Sequence, residues 1–259
     1  MPGYFYRGVR PGREYGFSLL NFLTANRFCV TRPRVATLFT VTAFFAFMPK
    51  ILTLSNQKGG VGKTTLAFNL YGCLRDEGIR SALIDTDAQG SLHSYSNLSE
   101  IDLLPEPEDL RLLRDPEGPY AEYDFIFIDT PPYLAENLQD IYDVSDMVVV
   151  PCRAGIPDAY AISGTLELTR AAMSYNPELK VVVVMNSVKH VARAFVDEIR
   201  KILQQYGEDY GARLVKAQIV DRVSYARSPV DGTVFETDDE KAQNEVYNLM
   251  TELVFLLKK

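Results

Sequence analysis

Residues 51–65 read Ile51-Leu52-Thr53-Leu54-Ser55-Asn56-Gln57-Lys58-Gly59-Gly60-Val61-Gly62-Lys63-Thr64-Thr65. The first five form a short apolar run, the signature of a strand buried on both faces of a parallel sheet. Three glycines then fall within five residues, and the stretch Thr64 to Glu77 is helical in pattern, stopping at Gly78. Strand, glycine turn and helix open a βαβ unit. The same rhythm continues in apolar runs at Ser81 to Ile84, Phe125 to Ile128, Met147 to Val150 and Val181 to Met185, with helical segments near 159–175 and 193–206. That alternation predicts an α/β fold, a doubly wound and mostly parallel sheet with helices on both faces. The stretch 97–120, broken by Pro105, Pro107, Pro116 and Pro119, predicts irregular surface or a short helix.

In such sheets ligands bind beyond the carboxyl ends of the strands, so the polar residues that end them carry the chemistry. A nucleoside triphosphate needs backbone N–H donors curled around a phosphate, and side chains obstruct that curl. Gly59, Gly60 and Gly62, with Val61 between them, leave it open, and the helix that follows adds the positive end of its dipole. Lys63 is placed to reach the β- and γ-phosphates, and the Thr64 hydroxyl, followed by Thr65, to ligate Mg²⁺. These features predict a P-loop NTPase. The strict P-loop pattern fails at its first position, where Gln57 stands in place of glycine. The second strand leads into Asp85-Thr86-Asp87-Ala88-Gln89-Gly90 and the third into Asp129-Thr130-Pro131-Pro132. Carboxylates at neighbouring strand ends suit the hard, hydrated Mg²⁺ ion.

The run Lys58-Gly59-Gly60-Val61-Gly62-Lys63-Thr64-Thr65 resembles the deviant Walker A box of the ParA/MinD family of dimerising ATPases, and the resemblance extends over residues 50–258. It implies ATP and Mg²⁺ as cofactors and a homodimer closed around ATP, in which Lys58 is the signature lysine reaching the partner's phosphates. It further implies that Lys63 is the in-cis phosphate lysine, that Asp129 is the Walker B aspartate and that Asp87 is the switch aspartate acting on the attacking water. Thr64, Asp85 and Asp129 then form the Mg²⁺ set, Asp85 serving the ion or the loop from behind. Gly59, Gly60, Val61, Gly62, Lys63, Thr64 and Thr65 line the phosphates, and Asn186 sits where relatives often recognise adenine. Ala88 replaces the proline usual in the family's switch box, which points to a looser switch.

Composition narrows the uses of this machinery. Three cysteines without a C-x-x-C pair argue against disulfide, zinc and iron–sulfur frameworks and favour a reducing, cytoplasmic setting. Only two histidines are present, too few for a histidine-based metal hydrolase. Residues 1–47 hold six arginines and one acid, Glu14, a net +5. Against the −7 of the whole chain, that leaves residues 48–259 at −12. This division reads as an N-terminal extension over 1–47, upstream-translated or poorly ordered, with a targeting leader as the alternative, followed by a ParA-like P-loop ATPase domain over 48–259. The apolar run 35–47 is short of the roughly 20 residues a membrane span needs, so no stable membrane insertion is expected.

The stretch from Ile219 to Phe235 and a helix near 239–258 resemble the ending of short ParA proteins. The resulting expectation is an ATPase that partitions plasmid or chromosomal DNA, or positions another cargo, through ATP-regulated nonspecific DNA binding and a ParB-like or other adaptor protein, associated with the nucleoid where it binds DNA. Basic candidates for phosphate contacts are Arg222 and Arg227 first, then Lys189, Arg193, Arg200, Lys201, Arg213 and Lys216. A MinD-like membrane-cycling regulator is the alternative, but the terminal helix carries Glu240, Glu245 and Glu252 around an apolar stripe and reads as a core helix. A metabolic ATP-dependent enzyme is a second alternative, against which Lys58 counts.

Overall fold

A computed structural model describes residues 48–87, 90–96, 101–133, 137–189 and 193–258 of the chain. The expectation for residues 1–47, like the substitution at Ala88, lies outside them. Among the described residues the strands are β1 (Lys50–Leu54), β2 (Ser81–Asp85), β3 (Leu103–Leu104), β4 (Phe125–Asp129), β5 (Met147–Arg153), β6 (Lys180–Val188) and β7 (Arg213–Val220). The helices are α1 (Lys63–Asp76), α2 (Ser91–Ser96), α3 (Leu138–Asp143), α4 (Ile156–Ala161), α5 (Ser163–Ala172), α6 (Arg193–Tyr210), α7 (Val223–Asp231) and α8 (Glu240–Leu257). The strands make one seven-stranded sheet in the order β3-β2-β4-β1-β5-β6-β7, and every pairing is parallel.

Side-chain alternation sends each strand's residues into two cores. Leu52 and Leu54 of β1, Phe125 and Phe127 of β4 and Val182 and Val184 of β6 enter one core with α1 and α8. Ile51, Ile126, Ile128, Val181 and Val183 enter the other, with α3, α5 and α6. Each such side chain, buried completely, contributes about 1.5–3 kcal/mol over an exposed one. Continuous apolar runs, rather than alternating ones, follow from this two-sided burial.

The structure refines the expected boundaries. The helix near 159–175 is two, α4 and α5, and α6 runs on to Tyr210. The stretch 97–120, where described, holds the two-residue edge strand β3 and a short 3₁₀ turn at Leu110–Arg114. β7 was not anticipated. Its outer edge is covered by the last helix: Glu252 of α8 accepts from the Lys216 and Ala217 N–H groups at 3.0 Å, and Glu245 accepts from Val220 N at 3.1 Å. The opposite face of α8 buries Val246, Leu249, Met250, Leu253, Val254 and Leu257, as a core helix should. Glu245 and Glu252 are therefore not a solvated face but the cap of an edge strand, while Glu240 is exposed. Among the described residues no helix is long and apolar enough to cross a membrane.

Candidate nucleotide site

β1, β2 and β4 are neighbours, so their carboxyl ends converge: Leu54 stands opposite Asp129 in register, and Asp85 opposite Asp129. After β1 the chain turns through Gly60 (φ 71°) and Gly62 (φ 90°), left-handed conformations that favour glycine. Gly62 is the residue before α1, and its carbonyl accepts the first helical bond from Leu66 N at 2.9 Å. A Cβ on Gly62 would stand 2.5 Å from Asn186 Nδ2. That amide donates to Val61 O at 2.7 Å, so Asn186 braces the loop from the end of β6. Gly59 and Gly60 are exposed and Val61 is buried.

Asn56 is a second brace, and sequence reasoning missed it. It is 2 % exposed, its Nδ2 donates to Pro151 O at 2.9 Å, and its Oδ1 accepts from Lys58 N at 2.8 Å. Both braces bridge residues about a hundred positions apart, which no local pattern announces. The two lysines of the loop are placed differently. Lys63 is buried beneath it, Nζ donating to Asn56 O at 3.0 Å, and its pKa is lowered by desolvation against the opposing pull of Asp129 and Asp87. Lys58 is exposed on the rim and forms an ion pair at 2.7 Å with Asp158 of α4.

Asp129 is almost completely buried. Its Oδ2 accepts the Thr64 hydroxyl at 2.5 Å, while Oδ1 is buried with no hydrogen-bond partner. Desolvation pushes its carboxyl up to about 7, helped by the nearby Asp85 and Asp87 and opposed by the Thr64 bond and Lys63. An orphaned carboxylate oxygen beside a threonine hydroxyl is a donor set that fits a hard divalent cation. Asp85 is engaged otherwise. Its Oδ1 accepts from Asp87 N at 3.0 Å and its Oδ2 from Leu92 N at 2.9 Å, so both oxygens hold the backbone of the segment that carries Asp87. Thr86 ties the same segment to the end of β4, its N and Oγ1 both donating to Asp129 O.

Beside the loop lies a cavity of about 210 Å³ whose wall includes Gly60, Gly62, Thr65, Asn186, Arg222 and Tyr225. Thr65 and Asn186 both line it. Arg222 donates through Nε and Nη2 to Glu245 Oε1 at 3.0 and 2.5 Å, and Tyr225 donates to Ala242 O at 3.0 Å. Arg227 is exposed and pairs with Asp231 at 2.5 and 2.8 Å. Lys189, Lys201, Arg213 and Lys216 are exposed; Arg200 donates to Gln218 and to Val215 O. The structure therefore gathers Lys63, Thr64, Asp85, Asp87 and Asp129 at one point, and holds Arg222, on the cavity wall, and Arg227, exposed on α7, in ion pairs. Tyr225, on the cavity wall, and Glu245, which holds Arg222, carry no local signal in the sequence.

Comparison with known proteins finds relatives of this chain. The model of the CobQ/CobB/MinD/ParA nucleotide binding domain matches residues 52–235. The chromosome partitioning protein ParA of Myxococcus xanthus is 29 % identical over 207 residues, covering 60 % of this chain and 72 % of that protein. The maintenance of carboxysome distribution protein A of Halothiobacillus neapolitanus is 25 % identical over 217 residues, covering 78 % of this chain and 95 % of its own. Among solved structures, a protein described as a plasmid partition protein of Borrelia burgdorferi B31, bound to AMPPNP, aligns with a TM-score of 0.57 at 21 % identity over 82 % of this chain and 100 % of that one, which shows the fold. A family model that matches residues 52–235, most of the chain, places this chain in the CobQ/CobB/MinD/ParA nucleotide-binding family.

Proposed function

We propose that residues 48–259 form a Mg²⁺-dependent ATPase that dimerises around ATP and, as the ATP-bound dimer, binds DNA without sequence preference to partition plasmid or chromosomal DNA or to position another cargo. The observation that carries this reading is the division of labour between two lysines in one loop. Lys63 lies inside the phosphate cradle, where one cation suffices for a bound triphosphate. Lys58 stands exposed on the rim, its ammonium in an ion pair with the half-buried Asp158, and is available to a second subunit.

In this reading Lys63 and the N–H groups of 59–64 hold the phosphates, and Thr64 with Asp129 holds Mg²⁺. The ion supplies charge neutralisation on the transferred phosphoryl group when bound. Asp87 orients the attacking water, and Asp85 orients Asp87 through its N–H rather than meeting the ion itself. Lys58 offers a cation in trans to the charge that develops on the partner's phosphoryl group. The Asn186 amide, having donated one N–H to the loop, keeps a second N–H and a carbonyl oxygen, the pair that suits an adenine edge.

DNA contacts fall best on Lys189, Lys201, Arg213 and Lys216, which are exposed, with Arg227 joining by exchanging Asp231 for a phosphate. Arg222 belongs to the cavity wall. Four or five scattered cations on an acidic domain bind DNA weakly per subunit, which makes affinity depend on dimerisation. A ParB-like or other adaptor, acting in the cytoplasm on the nucleoid, would then set turnover.

The test is ATP hydrolysis and sedimentation of the full chain, with and without Mg²⁺ and duplex DNA. Mg²⁺-dependent turnover, an ATP-dependent dimer and salt-sensitive DNA binding by that dimer are expected. Hydrolysis by a species that stays monomeric would move the reading to an ordinary metabolic P-loop enzyme.

A further inference from the structure

We propose that Thr165 is a positioning residue for Lys58: its hydroxyl anchors the start of the phosphate loop on α5, so that Lys58 reaches a partner's phosphates from a fixed root. Gln57 stands where the strict P-loop pattern has glycine, and the structure gives that departure a use. Gln57 is half-buried, and its backbone N–H donates to the Thr165 hydroxyl oxygen at 3.1 Å. Thr165 is the third residue of α5 and is completely buried. Gly164 beside it leaves room for the glutamine side chain, since a Cβ there would stand 2.9 Å from Gln57 Oε1. Backbone and side chain of Gln57 thus both dock on the start of α5.

Lys58 is held in the same frame. Its N–H donates to Asn56 Oδ1 at 2.8 Å, and its ammonium pairs with Asp158 of α4 at 2.7 Å. Only Ile162 separates α4 from α5, so one stretch of chain meets Lys58 twice: Thr165 holds the residue before it, and Asp158 holds its ammonium. Moving the ammonium to a second subunit gives up the Asp158 contact alone. The Gln57–Thr165 bond belongs to the backbone and stays, which keeps the Lys58 Cα where it was. Lys63 is rooted differently. Its ammonium also rests on Asn56 O, but its backbone opens α1, and Asn186 holds Val61 just before it. Loss of the Thr165 anchor therefore falls on Lys58 and spares binding in cis. Thr165 touches no nucleotide; it acts through Gln57, and its role rests on the trans reach of Lys58 proposed above.

Substitutions in the full chain test it. Thr165→Val keeps the side-chain shape and removes the hydroxyl, whereas Thr165→Ser keeps the hydroxyl. For Thr165→Val the expected result is a kcat lower by about tenfold or more with ATP affinity within about twofold of wild type, since misplacing a reacting group by about 1 Å costs on the order of 10²-fold. Thr165→Ser is expected to keep turnover within about twofold of wild type. Thr165→Ala makes the same deletion in a smaller side chain and stands in where the valine variant does not fold. Mixing supplies a readout that a general weakening of the loop would not move. Lys63→Ala subunits carry an intact Lys58 and no ATP, so adding them to Thr165→Val should raise turnover per bound ATP. Unchanged kcat in Thr165→Val overturns the proposal and leaves the ATPase reading intact. So does a loss that Thr165→Ser shares, or one that mixing does not relieve. Normal hydrolysis by Lys58→Ala, or no turnover by the wild-type chain, removes the reading beneath the proposal, and both are measured before Thr165 is changed.

Discussion

Asp129 carries its charge where water cannot solvate it, and its carboxyl is pushed up to about 7 as a result. An unfolded aspartate titrates near 3.9. Between those values the folded chain holds a proton that the unfolded chain has lost, so stability falls as pH rises from about 4 to about 7 and stays lower above that. Asp129→Asn, nearly isosteric and uncharged, should match wild type near pH 4 and exceed it above pH 7 in nucleotide-free thermal melts, with a ceiling of about 4 kcal/mol. Equal melting curves at pH 8 would mean that the carboxylate is not desolvated. Gly62 makes a complementary case. At φ 90° and with Asn186 Nδ2 only 2.5 Å from where a Cβ would stand, Gly62→Ala is strained and overpacked at once. It should cost about 2 kcal/mol or more in denaturant titration and abolish nucleotide binding, because relief of the clash pulls Asn186 off Val61.

At the scale of elements, the buried strands were legible because two-sided burial writes itself as an apolar run, and the loop because glycines and lysines fall in one short stretch. β7 was not, since its sequence Arg213-Leu214-Val215-Lys216-Ala217-Gln218-Ile219-Val220 alternates imperfectly and belongs to an edge. Its N–H groups are satisfied by two glutamates from a helix some thirty residues later, a pairing that only the fold brings about. Asn56 shares that property, unremarkable in sequence yet tying the phosphate loop to Pro151 O, and the contact of Asn186 with Val61 O is likewise a product of the fold. Asp85, expected to serve the ion or the loop from behind, holds the backbone N–H groups of Asp87 and Leu92. The glutamate cap carries its own test. Glu252→Ala leaves two edge N–H groups of β7 without an acceptor and should lower stability by about 1–2 kcal/mol while promoting concentration-dependent association through the uncovered edge. Light scattering and denaturant titration read the two effects separately; a variant that is destabilised but stays monomeric at high concentration would show that α8 covers the edge by bulk alone.

For the whole molecule the question is whether two copies share one chemistry. Lys58 and Asp158 form an ion pair within one chain, its lysine 41 % and its aspartate 18 % exposed. A dimer that takes Lys58 to the partner's phosphates gives that pair up and gains a charge-assisted contact in a drier place, so the exchange favours the dimer only when a triphosphate is bound. Three substitutions then separate by role. Lys63→Ala removes the cation inside the cradle and should abolish ATP binding, dimer and turnover together. Asp87→Ala removes no phosphate contact and relieves negative charge near the γ-phosphate, so it should bind ATP and accumulate as a stable dimer with little hydrolysis. Lys58→Ala should bind ATP in its own subunit, yet lose about 10³-fold in turnover, the lower range for a cation supplied in trans, and dimerise poorly. Sedimentation with ATP and Mg²⁺ distinguishes the three, and mixing decides the direction of the reach. If Lys58 acts on the partner's nucleotide, a heterodimer of Lys58→Ala with Lys63→Ala subunits has one bound ATP, in the subunit that lacks Lys58, and that ATP faces an intact Lys58 across the interface. Mixing the two inactive variants should therefore restore turnover at a fraction of the wild-type rate. A lysine acting in its own subunit predicts no recovery in any mixture, and that result would reduce the protein to a monomeric hydrolase.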